Sequence, residues 1–124
     1  MPRIDSTQFG EITVDGKKYG QVLIVGNLVA ERDYPKLKDL FGTSHKIGDW
    51  EIEELLEENP EIIVVGTGQN GAMEIDEKFF EEMKKKGIEV IADIAPKASE
   101  IFNAKIKEGK RVNALIHTTC GGDF

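Results

Sequence analysis

Glu61-Ile62-Ile63-Val64-Val65-Gly66-Thr67-Gly68-Gln69-Asn70-Gly71 is the stretch on which the fold turns. Four consecutive aliphatic residues without polar alternation fit a strand covered on both faces, and the glycines mark the turn that leaves it. On its N-terminal side the apolar period is that of a helix. Asp49 is the expected N-cap, Ile52, Leu55 and Leu56 form the stripe, and Asn59-Pro60 stops it. On its C-terminal side Asp76 caps a helix expected to turn Phe79, Phe80 and Met83 inward. Lys84 to Lys86 suit the negative end of that helix dipole and Gly87 its C′ position. IEVIA (88–92) reads as a second buried strand. Pro96 opens a third helix with Ala98, Ile101 and Phe102 inward, Gly109 closes it, and RVNALIH (111–117) is the last strand. Helices alternating with strands over short connections and right-handed crossovers imply helices packed on a largely parallel or mixed sheet, an α/β fold.

Working outward to the N-terminus, GEITVDGKKYG (10–20) puts Ile12 and Val14 on one face. Asp15-Gly16 forms the turn of a hairpin whose two central residues need positive φ. QVLIV (21–25) is a short buried run, and NLVAER (27–32) a further strand ending at Arg32. From Asp33 to Gly48 the polarity is mixed and broken by Pro35 and Gly42, so an irregular segment is expected, a common seat of function.

The 124 residues carry 16 Lys and Arg against 23 Asp and Glu, a net charge of -7. That length favours one domain, and the charge argues against nucleic acid or an anionic membrane surface as partner. No apolar run approaches the roughly 20 residues of a membrane span. The opening MPRIDSTQFG lacks signal- or transit-peptide character, and the single cysteine cannot form an intrachain disulfide, so a cytoplasmic setting is expected.

Among motifs with chemical meaning, Gly66-Thr67-Gly68-Gln69-Asn70-Gly71 matches the dinucleotide pattern G-x-G-x-x-G, with Asp93 about where a ribose-binding acid would lie. Against it, the next helix starts several residues past Gly71, and Glu74, Asp76 and Glu77 put negative charge where a phosphate needs positive potential. A glycine-rich turn is the plainer reading, and a smaller ligand at this loop the alternative. His117 and Cys120 could form a thiolate–imidazolium pair, although an ordinary terminal thiol is the simpler choice. Two histidines and one cysteine offer too few imidazole and thiolate ligands for a zinc site without a carboxylate. His45 lies in the irregular segment. Arg32 has the fork to clamp a carboxylate or phosphate, or to make a local ion pair. The paired glutamates at 53–54, 57–58 and 81–82 read as solvated helix faces.

The ordered set of short motifs resembles the Mth-domain family. It comprises Phe9-Gly10-x-Ile12-x-Val14-x-Gly16, Gly42-Thr43-x-His45, Ile63-Val64-Val65-Gly66-Thr67-Gly68 and Lys86-Gly87-Ile88-x-Val90. Asn103-Ala104, Glu108-Gly109-x-Arg111-Val112 and His117-x-Thr119-Cys120 complete it. The resemblance runs from about Ile4 to Cys120 and implies a three-layer domain, a mixed central sheet flanked by helices and by the N-terminal β piece. It implies no established enzymatic activity and no catalytic residue. Its more distant relatives, mitochondrial complex I assembly factors, suggest assembly or adaptor work. The expectation is therefore a non-enzymatic domain that binds other proteins or a second copy of itself as a homodimer, without cofactor or metal. The alternative is a protein or enzyme that takes a small ligand, a nucleotide or an anion, in the crevice walled by Gly66, Thr67, Gly68, Gln69 and Asn70, with Arg32 and His45 closing it.

Overall fold

The computed structural model describes residues 2–42, 46–69, 71 and 73–118. A small antiparallel sheet opens the chain, formed by β1 (Ile4–Gln8), β2 (Glu11–Val14) and β3 (Lys17–Tyr19) in that order. Its hairpin turns at Asp15 and Gly16, with φ of 50° and 80°. The central sheet has five strands, β4 (Val22–Val25), β5 (Leu28–Glu31), β6 (Ile62–Thr67), β7 (Glu89–Asp93) and β8 (Val112–His117), in the order β5-β4-β8-β6-β7. β6 runs parallel to β7 and β8, whereas β4 is antiparallel to both β8 and β5. The helices are α1 (Tyr34–Phe41), α2 (Asp49–Leu55), α3 (Glu77–Lys85) and α4 (Ala95–Lys107).

The unbroken apolar run divides its side chains between two cores. Ile62 and Val64 join Val22, Ile24, Ala114, Ile116 and Phe102 on the face covered by α4 and the small sheet. Ile63 and Val65 join Leu23, Leu115, Leu55, Phe79 and Met83 on the face covered by α2 and α3. Successive residues of a strand point to opposite faces, so a strand buried on both must be apolar throughout. This is the mixed sheet with helices on both sides and an extra β layer.

Polar side chains tie the layers together at defined points. Asn103 on α4 accepts from the Ile4 N–H at 2.9 Å and donates to the Ile4 carbonyl at 2.7 Å, so its amide pairs with β1 as a neighbouring strand would. Asn113, buried in β8, donates to the Leu55 and Glu57 carbonyls, both at 2.8 Å, and accepts from the Gly26 N–H at 2.9 Å. It thereby satisfies carbonyls left over at the end of α2.

Four expectations are corrected. IEVIA is not a buried strand, because β7 stands at the edge of the sheet with its residues half-buried or exposed. The segment after Asp33 is not irregular throughout, because Tyr34–Phe41 is a helix. The Asp33 carboxylate caps it by accepting from the Lys36 N–H at 3.1 Å, and Pro35 occupies the first turn, where its missing N–H costs nothing. The N-cap of α2 is Gly48, one residue ahead of Asp49. Phe80 turns outward and is 36% exposed, because the buried stripe of α3 is only Phe79 and Met83.

Gly66 is required by close approach. A Cβ there would lie 3.1 Å from two Ile116 side-chain carbons and 3.3 Å from the Cα of Ala95. Gly66→Ala is expected to lower stability by about 1–3 kcal/mol through this overpacking. A urea unfolding midpoint equal to that of the unmodified chain would contradict the close-packing role.

Candidate functional site

The strand directions bring one end of the sheet together from distant parts of the sequence. Thr67 ends β6 and pairs in register with His117 at the end of β8, and Asp93 ends β7. Because β4 is antiparallel to β8, Gln21 enters at this same edge. Arg32 leaves there, its N–H bonded to the Gln21 carbonyl at 2.9 Å. Helix α2 runs back from this edge and carries Glu51 in its first turn.

Arg32, Gln21, Glu51 and His117 form a buried polar cluster. Arg32 is 3% exposed, and Glu51 and His117 are fully buried. The guanidinium holds the Glu51 carboxylate in a two-point fork, Nε to Oε2 at 2.7 Å and Nη2 to Oε1 at 2.8 Å. Nη2 also donates to the Lys46 carbonyl and Nη1 to Gln21 Oε1, both at 2.8 Å. Glu51 in turn accepts from the Gly48 N–H at 2.9 Å, closing the entry to α2. A guanidinium only donates, so the oxygen of the Gln21 amide must face Arg32. His117 Nδ1 lies 2.7 Å from that same oxygen, so Nδ1 carries a proton. In the neutral ring the lone pair is then on Nε2. Arg32 is therefore a carboxylate clamp, as its shape allows, but its partner is Glu51 on a helix and not the adjacent Asp33.

The loop Gly66 to Gly71 lies two strands away from Arg32 on the same edge, across β8 and β4. Gly68 has a φ of 100°, a conformation that favours glycine. Its carbonyl accepts from Gly71 and from Ala95 at the start of α4, at 3.3 and 2.9 Å. Thr67 Oγ1 donates to the Asp93 carbonyl at 3.1 Å, and the Asp93 carboxylate accepts from Ile94 at 2.8 Å. The loop thus turns its carbonyl to α4, while the helix that follows it in sequence begins only at Glu77. Gln69 Oε1 is buried without a hydrogen-bond partner among the described residues. His45, Asn70 and Cys120 fall outside the described residues. Sequence reading passed over Gln21 and Glu51. The signal for Glu51 was its place three residues after Gly48, where a helix's first turn holds a carboxylate that caps backward.

A cleft of about 470 Å³ opens beside the cluster, on the α2 and α3 side of the sheet. Phe41, Ile47, Ile52 and Ile75 line it, with Lys46, Asp49, Glu74 and Asp76 alongside. The three isoleucines are the outer surface of the core beneath α2 and α3. Lys46, whose carbonyl Arg32 holds, connects the buried cluster to this opening. Lys36 of α1 lies over the ring of half-buried Trp50, 4.3 Å from its centroid, and so joins α1 to α2.

Glu51→Gln is expected to destabilise the fold by about 3–5 kcal/mol, because it strands a buried guanidinium. The double change Arg32→Met with Glu51→Leu should cost less than the sum of the two single changes, since no buried charge is left behind. Additive costs in urea unfolding would mean that the two groups do not act as a pair.

Among the described residues no helix is long and apolar enough to cross a membrane. Residues 4–117 match the profile of a family described as "Protein of unknown function (DUF498/DUF598)". Among solved structures, the protein designated MT938 is 30% identical, with 97% of this chain and 100% of that one covered and a TM-score of 0.78. The conserved hypothetical protein PH1505 of Pyrococcus horikoshii OT3 is 28% identical over 95% and 99% of the two chains, with a TM-score of 0.80. A Bordetella pertussis protein described as a Mth938-like domain shares the fold at 17% identity, with 95% and 86% covered and a TM-score of 0.65. The chain therefore belongs to the DUF498/DUF598 family of proteins of unknown function and has the fold of the Mth938-like domain.

Proposed function

We propose that this domain is a non-enzymatic protein-interaction module of the assembly or adaptor kind. The observation that carries this reading is the cleft beside α2, with an apolar lining that continues onto exposed side chains of α1. Phe41 is 40% exposed and Leu40 beside it 61%, a cost in water that a partner's surface would relieve. Leu40→Ser with Phe41→Ser touches only exposed positions, so the fold should change by no more than about 0.5 kcal/mol. Immobilised wild-type chain is expected to retain a specific partner from a lysate of its own source at low salt, and the double variant to lose it. Retention of the same proteins by both would refute the reading, as would retention of none.

A second reading has its own observation. Gln69 Oε1 beside Gly68, buried and without a partner among the described residues, favours a small ligand at the strand ends that brings a hydroxyl or amine donor. At about 100 times its dissociation constant such a ligand would stabilise the fold by about 2.7 kcal/mol, a shift of several degrees in thermal unfolding. Screening nucleotides, NAD(P)(H), coenzyme A, phosphate and common metabolites should then give a shift that Gly68→Asp abolishes. If instead no compound shifts the melting temperature and Gln69→Leu raises it, the oxygen is only an unsatisfied acceptor.

A further inference from the structure

We infer that the occupant of the cleft is a cationic, apolar segment of another protein, one that sets aliphatic or aromatic anchors between lysines or arginines. The inference rests on the docking reading above and adds the partner's chemistry. The apolar lining, Phe41, Ile47, Ile52 and Ile75, calls for apolar anchors, and the polar groups around it are three carboxylates against one ammonium. Their roles differ. Asp76 spends one oxygen on the N-cap of α3, accepting from the Lys78 N–H at 2.9 Å, and Asp49 stands in the first turn of α2. The positive ends of two helix dipoles offset part of those charges. Glu74 lies in the stretch without regular structure before α3, is exposed, and belongs to no helix end. It is the carboxylate best placed to receive a cation.

The charge of the whole chain points the same way. At -7, a second copy of this chain would meet an acidic cleft with an acidic surface, whereas a basic segment would be steered toward it. Lys46 is the one cation among the lining residues, and Arg32 holds its carbonyl. This orients the segment, its cationic groups toward Glu74 and its apolar or acidic end toward Lys46.

The chain's one tryptophan, Trp50, follows Asp49 of the lining in sequence and serves as the fluorescent probe. The probes are an amidated peptide of leucine and lysine at helical spacing and its counterpart with glutamate in place of lysine. Each is titrated to about 1 mM, a limit that still detects the weakest specific binding. The cationic peptide is expected to shift the Trp50 emission saturably, and to lose affinity as ionic strength rises from about 0.1 to 1 M. Glu74→Lys should weaken it roughly tenfold. Glu100→Lys, on α4 at the opposite face of the sheet, makes the same change in net charge and should leave it within about twofold. Both positions are exposed, and far-ultraviolet circular dichroism verifies that the variants fold. Equal weakening by the two variants would overturn the inference, because bulk charge alone would explain the binding. Preference for the glutamate peptide would overturn the partner's chemistry while leaving a docking cleft in place. Binding of neither peptide would overturn the inference, while loss of a lysate partner by the Leu40→Ser, Phe41→Ser variant would still leave the docking cleft in place.

Discussion

A guanidinium taken out of water must find acceptors inside the protein, and Arg32 finds them in separate parts of the chain. Glu51 comes from α2, Gln21 from the entry to β4 and Lys46 from the connection between α1 and α2, while His117 at the end of β8 joins through Gln21. Each bond fixes a different element to the carboxyl edge of the sheet. Two buried charges are costly to bring together, and the cost is offset only when the geometry is good and the remaining donors are satisfied. Here the fork is complete and Glu51 accepts a further bond from Gly48. The cluster therefore does for one edge of the sheet what apolar packing does for the two faces. It also decides the tautomer of His117, through an amide that Arg32 itself orients.

The two faces of the sheet are covered by different means. One carries α4 and the small antiparallel sheet, a β layer held to the helix by the Asn103 amide as well as by Ile4, Ile12 and Val14. The other carries shorter helices, α2 and α3. The cleft lies on this face, and the isoleucines of its lining belong to the partly buried outer layer of that core. Position on the sheet thus accounts for both the apolar lining and the acidic groups from two helix beginnings.

Much of the fold was legible because it follows from local chemistry. A run such as Ile62 to Val65 permits little else than a doubly covered strand, and Asp15-Gly16 fits a tight hairpin. The α1 helix is not evident from periodicity, although Asp33, Pro35 and Gly42 are a good set of boundary signals. Pro35 reads as a breaker until it is seen to stand in the first turn. Of the apolar positions, only Leu37 is buried, so the usual inward stripe was too thin to announce the helix. Phe80 shows the converse, a large aromatic that periodicity turns inward and the structure leaves exposed. The site was less legible still. Arg32 was singled out, but its partner is 19 residues on, on a helix whose other glutamates do face solvent. Such a pairing depends on how strands are ordered in the sheet, which spacing along the chain does not encode.

The bond from Arg32 to the Lys46 carbonyl bears on how the surface can behave. A rim built only from a connecting segment would have to be ordered by each partner that settles on it, and that loss of freedom would be subtracted from affinity. One point of this rim is instead held by the least exposed charge pair described in the molecule. The lip at Lys46 thus inherits rigidity from the interior, and the cleft is partly preorganised before anything binds. Through Arg32 the backbone at Lys46 is joined to the sheet edge where Gln21, His117 and the neighbouring Thr67 strand end meet.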